Sequence, residues 1–234
     1  MNSERMKSII NLIPKSEIII DIGTDHAYIP EEIINRKLAK KVIATEINQK
    51  PYLKAKKYIE KKSLDKFIEI RKGDGLHVIN SEEIKVLIIA GMGGLLINRI
   101  IDENKLKFSS GNTLILQPMN AVDKTRKFLE NNKFEILDEN LCKEEHHYYT
   151  VIKAKYNSKF KVENDKIDYI TNEILFKKRN KYIEEYANKK IKKNNIIINS
   201  IKENSNDIEK IIRLENENNK LEELLKKYEF ELYN

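Results

Sequence analysis

The chain has one cysteine, Cys142, and no tryptophan in 234 residues. A single thiol excludes an intrachain disulfide and any zinc site built on cysteine pairs, and it suits a reducing compartment. No run of 18 apolar residues occurs, so no membrane-spanning helix is predicted. The first residues, Met1 to Arg5, lead into a short amphipathic segment instead of the apolar core of a secretion signal. These absences predict a soluble, cytoplasmic protein with no membrane partner. From about residue 156 no glycine or proline occurs, and charge alternates with Ile and Leu at helical spacing, which predicts an all-helical segment.

The formal charge is +7 and the pI near 9.1, a balance that favours an anionic partner, nucleic acid first among macromolecules. The excess also fits a chain rich in Lys, Asn and Ile throughout. Residues 155–234 hold 18 Lys and Arg against 15 Asp and Glu, so neither part is a basic tail. Any binding surface must come from sorting charges in three dimensions. The length accommodates one domain of about 150 residues with its own core plus an appendage. Two domains are expected, 1–155 and 156–234.

Residues 18–30 carry the densest information. The apolar run Ile18, Ile19, Ile20 ends in Asp21 and opens into a turn with Gly23, Asp25, His26 and Tyr28 before Pro30. A β-branched run bounded by turn residues reads as a buried strand, and Pro30 suits the first turn of a helix. Backbone N–H groups at such a turn can hold a carboxylate or phosphate. A second apolar run, 41–45, ends at Glu46, where an acid accepts from ribose hydroxyls in doubly wound sheets. The first turn lacks the three glycines that let a pyrophosphate approach, so a single adenosyl group with an amino-acid tail fits better than a dinucleotide. A third run, 67–70, leads to Gly73-Asp74-Gly75, where Asp74 could accept from an adenine amino group. Runs at 86–90 and 113–116 lead into Gly91-Met92-Gly93-Gly94 and Gln117-Pro118.

Helical patterns over 3–13, 29–36, 51–61, 95–101 and 122–131 separate these strands, which argues for a parallel sheet with helices on both faces. Segments 134–139 and 148–154 follow without an intervening helix and read as an antiparallel edge hairpin joined by a loop over 140–147. In the helical segment, Ile211, Leu214, Asn218, Leu221, Leu225 and Tyr228 recur at three and four residues, a coiled-coil rhythm. Asn218 reads as a solvated gap rather than a register-setting contact. A helix over 165–190 would supply the partner through Ile167, Ile170, Ile174, Ile183 and Tyr186. A monomer is expected, with dimerisation through this segment left open.

Together, Asp21 to Pro30, Thr45-Glu46-Ile47, Gly73 to Leu76, Ala90-Gly-Met-Gly-Gly94 and Leu116-Gln-Pro118 resemble the TrmK family of bacterial tRNA adenine-N1 methyltransferases, over roughly residues 1–154. The resemblance implies S-adenosylmethionine as cofactor, tRNA as partner, methylation of N1 of adenosine 22, and a Rossmann-like class I fold with a mostly parallel seven-stranded sheet and a C-terminal helical coiled-coil domain. It assigns Asp21, Gly23 and Asp25 to the methionine end of the cofactor, Glu46 to the ribose, Asp74 and Gly75 to the adenine, and Gly91 and Met92 to the cofactor floor. Tyr28, Gly93 and Pro118 fall on the side of the target base, the glycines at 91, 93 and 94 leaving room for it, and Asp25, His26 and Gln117 are the catalytic candidates. Whether Asp25 meets the cofactor or the base stays open. Methylases of exocyclic amines commonly carry a Pro-Pro-aromatic signature after the fourth strand, where this chain has Ala90 to Gly94, so attack by a ring nitrogen is preferred. A methyltransferase acting on a small molecule or protein, or a non-catalytic coiled-coil RNA-binding protein, are the alternatives. His146 and His147 beside Glu144 and Glu145 lack the spacing of a metal site, so no metal is expected, and Cys142 lacks the cationic surroundings of a reactive thiol.

Overall fold

The computed structural model describes residues 3–161, 169, 173–204 and 207–230. The chain divides into two compact units, Met1–Asp165 and Lys166–Asn234. In the first, α1 (Glu4–Leu12) precedes β1 (Ser16–Ile22). There follow α2 (Tyr28–Asn35), β2 (Ala39–Glu46), α3 (Gln49–Lys61), β3 (Ile68–Lys72), β4 (Val86–Met92), α4 (Gly94–Glu103), β5 (Thr113–Pro118), α5 (Val122–Asn131), β6 (Phe134–Glu144) and β7 (His147–Tyr156). The seven strands form one sheet in the order β3-β2-β1-β4-β5-β7-β6. All pairs are parallel except those made by β7, which runs against β5 and β6. This is the expected Rossmann-like sheet, and its order reverses between β1 and β4.

Period-two alternation sorts the sheet onto two cores. Ile20 and Ile22 of β1 join Leu87, Ile89, Leu114 and Leu116 under Ile97, Ile101 and Leu129 of α4 and α5. Ile19 faces the other way, with Val42, Ala44, Ile88 and Ile115 under α1, α2 and α3. Asp21 shares the parity of Ile19 and is therefore carried onto a buried face, where it is 2% exposed. An ion pair is buried between α5 and β6. Arg126 grips Glu139 through two hydrogen bonds of 2.8 Å, its side chain 7% exposed and the acid 0%.

The edge hairpin is longer than its composition suggests. The expected loop over 140–147 is strand except for Glu145 and His146, with Glu145 at φ +53°. Cross-strand pairing from Asn140 with Val151 to Glu144 with His147 overrides the charge-rich sequence. Cys142 is buried there, its thiol donating to the Tyr149 carbonyl at 3.6 Å and pushed up to about 11 by burial, which fits an inert thiol.

The second unit contains α6 (Glu173–Lys177), α7 (Ile183–Asn204) and α8 (Ile208–Phe230). The single helix expected over 165–190 is not formed. Arg179, at φ +49°, ends α6, the N–H groups of Arg179 and Asn180 turning back to the carbonyls of Phe176 and Leu175. Of its candidate packing residues Ile167 and Ile170 lie outside the described residues, while Ile183 is buried. Asn218 also departs from expectation. It is 6% exposed, accepts from Asn194 Nδ2 at 2.9 Å and donates to Asn195 Oδ1 at 2.7 Å, beside Leu214, Leu221 and Leu224. A polar residue this deep at a helix seam survives by pairing, and pairing sets the register of α7 against α8. Among the described residues no helix is long and apolar enough to cross a membrane.

Two substitutions test these contacts. Arg126→Met removes both 2.8 Å charge-assisted hydrogen bonds from the buried Glu139 and should cost about 3–5 kcal/mol of stability in urea denaturation. Asn218→Ala orphans the buried Asn194 amide at a cost of about 1–3 kcal/mol, and hydrogen exchange should rise in α7 and α8 while the sheet stays protected.

Candidate active site

A cavity of about 630 Å³ opens at the carboxyl ends of the central strands, where the sheet order reverses. The turns after β1, β2 and β4 line it, with residues of α1, α2 and α4 and Gln117 of β5. The first turn follows β1: the N–H groups of Gly23 and Thr24 both donate to the Thr45 carbonyl, at 2.9 and 3.0 Å. Gly23 lies at φ +71°, and Asp25 and Ala27 also hold positive φ, at +51° and +59°. Left-handed backbone outside glycine costs free energy, and its clustering here marks a shaped loop. Asp25 stays exposed and His26 half-buried, with Asp25 Oδ1 3.1 Å from His26 Nδ1 and side-chain exposures of 67% and 43%. His26 meets the Tyr28 ring edge-on, and Tyr28 meets Tyr58 likewise. The Tyr58 hydroxyl donates to Glu31 at 2.5 Å, so Tyr28 is braced from behind.

The second turn follows β2 and presents Glu46. Its Oε2 accepts from the Asp25 N–H at 3.4 Å and its Oε1 from the Asn48 N–H at 3.0 Å, which orients the carboxylate while leaving lone pairs on both oxygens. The third turn leaves β4, where the pairing with β5 shifts register between Ala90 and Met92 around Gly91, at φ +77°. A Cβ added at Gly91 would meet nothing within 4 Å, so the space beside this backbone is open. The Gly91 N–H donates to Gln117 Oε1 at 3.2 Å, and Gln117 Nε2 donates to the Pro118 carbonyl at 3.1 Å.

Of the residues singled out in the sequence, Gly23, Asp25, His26, Tyr28, Glu46, Gly91, Met92 and Gln117 converge on this cavity. Gln117 differs from expectation in its setting: it is 0% exposed with both ends of its amide held by backbone, so it shapes the Gly91 turn. Asp21 lies beneath the loop. Asp74 precedes the short 3₁₀ turn Gly75–Val78 at the tip of β3 without a side-chain cap bond to it, and neither it nor Gly75 lines the cavity. Gly93 and Pro118 also lie outside the lining, Pro118 ending β5. The expected room for a base at Gly94 is a correction: a Cβ there would come within 2.6 Å of the Asn120 carbonyl, so this glycine serves the close approach of α4 to the β5–α5 turn. Sequence reading missed Thr24, Asn48 and the contribution of α1, whose Arg5, Met6 and Ile9 wall one side. The amphipathic pattern of α1 signalled a helix but carried no sign of what it covers.

Three buried oxygens at these strand ends, Asp21 Oδ2, Thr24 Oγ1 and Thr45 Oγ1, have no protein hydrogen-bond partner. Burial pushes the Asp21 carboxyl up to about 6; the nearby Thr24 hydroxyl, outside hydrogen-bond geometry, opposes the rise and the Glu46 charge adds to it. Orphaned oxygens, two oriented acids and an open glycine backbone suit a ligand bearing hydroxyls and an amine.

A raised folded-state pKa means that the stability contributed by Asp21 is fully present below its unfolded value of 3.8 and lost as pH rises through about 6. Asp21→Asn should therefore flatten stability against pH between about 4 and 7, the contrast with wild type reaching about 2–3 kcal/mol. Urea denaturation of both proteins at pH 4 and 7 reads the difference, and an identical change in stability between the two pH values would refute it.

Residues 19–227 match the family described as TrmK: tRNA (adenine(22)-N(1))-methyltransferase. The chain is 37% identical over 153 residues to the tRNA (adenine(22)-N(1))-methyltransferase of Bacillus subtilis (strain 168), an alignment that spans 65% of this chain and 64% of that protein. In structure it is similar to the crystal structure of the B. subtilis m1A22 tRNA methyltransferase TrmK, with a TM-score of 0.83 at 28% identity over 96% of this chain and 98% of that one. It is also similar to M. capricolum TrmK in complex with S-adenosyl-homocysteine, at a TM-score of 0.78 and 29% identity over 98% of each chain. A match that runs from the first strand into the last helix, on a sheet whose order reverses at this cavity, makes the chain a member of the TrmK family.

Proposed function

We propose that this protein is a cytoplasmic enzyme that methylates N1 of adenosine 22 in tRNA with S-adenosylmethionine. The observation that carries the reading is the Glu46 carboxylate, aimed by two backbone N–H groups at a cavity on the strand-order reversal. When bound, the cofactor supplies an electrophilic methyl group on a sulfonium, and passage of that methyl to adenine N1 leaves a neutral thioether and a cationic base.

Glu46 would hold the ribose hydroxyls and the open Gly91 backbone would floor the site, with Met92 packed across Gly23. Asp74, at the tip of the strand next to β2, is the group for the adenine amino end. Adenine N1 has its own lone pair, so orientation is the larger contribution and no general base is needed. Positive charge that develops on the base spreads towards its exocyclic N6. Asp25 is the exposed carboxylate of the cavity and is the residue proposed to accept from N6, with His26 oriented beside it and Tyr28 walling the base. Gln117 acts as a positioning residue through Gly91. Because N1 lies on the pairing edge, a paired or stacked target must be unpaired first, at about a few kcal/mol.

Transfer of labelled methyl to unmodified tRNA, with the product nucleoside identified, tests the reading. Labelled 1-methyladenosine that vanishes when adenosine 22 is replaced by guanosine is the expected result; incorporation into protein or a small molecule instead would overturn it. Glu46→Gln should weaken cofactor binding by about tenfold to a hundredfold in calorimetry. Asp25→Asn should lower kcat by about tenfold or more with cofactor Kd nearly unchanged, and equal losses in both would return Asp25 to the cofactor.

A further inference from the structure

We propose that Arg5, on the first helix, is a phosphate-binding residue that seats the RNA backbone beside the target adenosine at the mouth of the cavity. The proposal rests on the function inferred above and adds a residue to its substrate side.

Arg5 is fixed in place and its guanidinium forms no ion pair among the described residues, although the Glu144 carboxylate that anchors its backbone is near enough to feel its charge. The Ser3 hydroxyl and the Arg5 N–H both donate to Glu144 Oε1, at 2.5 and 2.9 Å, which ties the start of α1 to the end of β6. The Arg5 guanidinium lies over the Tyr149 ring at 5.4 Å and donates through Nη1 to Met119 Sδ at 3.5 Å. A ring face and a thioether orient a cation but offer weak acceptors. The other arginines of the sheet unit, Arg36, Arg71, Arg99 and Arg126, each meet a carboxylate. Arg5 meets none among the described residues, although Asp25 and Glu46 line the same cavity. A guanidinium has five donors in a planar fork, and most of these are free for an acceptor-rich planar or tetrahedral anion.

The chemistry of the substrate supplies that anion. A nucleotide inserted base-first carries phosphodiesters on either side of its ribose, and these stay at the rim while the base enters. The acids of the cavity cannot serve them and would repel them. Met119, 45% exposed beside Arg5, and Leu96, 39% exposed on the lining, add an apolar rim on which neighbouring bases can rest. Phosphate contacts fix register and orientation without reading sequence, which is the task at the mouth of such a site.

The test compares wild type with Arg5→Met, Arg5→Lys and Glu144→Gln, the last loosening the anchor of α1 while keeping the guanidinium. Three quantities are measured: Kd for S-adenosylmethionine, kcat and KM for unmodified tRNA, and tRNA affinity against salt in the presence of S-adenosylhomocysteine. Arg5→Met is expected to raise KM for tRNA on the order of tenfold. Its cofactor Kd and kcat should stay within about twofold, and its slope of log K against log salt should fall by about one. Arg5→Lys should recover most of the slope, and Glu144→Gln should leave it at the wild-type value. A rise in cofactor Kd with an unchanged salt slope would assign Arg5 to the carboxylate of the cofactor and overturn the proposal. A Glu144→Gln variant that reproduces the whole Arg5→Met effect would reduce Arg5 to an anchor of α1. Wild-type protein that binds cofactor but methylates no tRNA would instead strike down the underlying function, and this inference with it.

Discussion

One backbone carbonyl, that of Thr45, holds the site together. By accepting from both Gly23 and Thr24 it ties the turn after β1 to the last residues of β2. That tie brings the Asp25 N–H within reach of Glu46 and leaves Asp25, His26 and Tyr28 to line the cavity. It requires parallel neighbours in register, with Ile22 opposite Thr45, and a glycine that adopts φ +71° without a steric cost. Parallel strands end on the same side of a sheet, so their turns converge, and the reversal of order between β1 and β4 opens the gap into which they converge.

The same geometry sets the electrostatics. Asp21 is driven onto a buried face beneath the loop by strand parity and sits close enough to Glu46 to feel its charge, at a cost in stability, while Asp25 and Glu46 make the lining above it acidic. An acidic lining suits the cationic and hydroxyl-bearing parts of an adenosyl cofactor and repels phosphate. A guanidinium on the wall at the rim divides the cavity by sign, which lets one opening take two ligands of opposite charge without their competing for the same groups.

Buried polar contacts appear where elements could otherwise slide. Arg126 with Glu139 locks α5 to β6 near the register shift between Ile136 and Asp138. Asn194 with Asn218 fixes α7 on α8 where a run of leucines alone would tolerate several registers. Neither is an efficient source of stability, since burying charge or amide costs most of what pairing returns. Their value is in excluding the neighbouring alignment.

Much of the catalytic unit was legible in the sequence because its signals are local. A short β-branched run ending in an acid, glycine or proline is a strand and its turn, and five such tips in order specify a parallel sheet and the side on which its ligand binds. The order of motifs likewise carried the resemblance to a methyltransferase family. What escaped depends on pairing between distant segments. The strand over 140–144 was hidden by its charges until β7 lay beside it, and Asn218 looked solvated until Asn194 and Asn195 were opposite. The helix expected over 165–190 broke because nothing in its composition encodes the left-handed turn at Arg179. Gln117 and Gly94 were given to the ligand, yet one is held by the Gly91 and Pro118 backbone and the other by close packing. Arg5 carried no motif at all; its freedom from a carboxylate partner exists only once α1 is laid against β6 and the Tyr149 ring. Strand tips and helix faces follow from the period of a few neighbouring residues, whereas the partner of a polar side chain is decided by whichever element the fold brings opposite it.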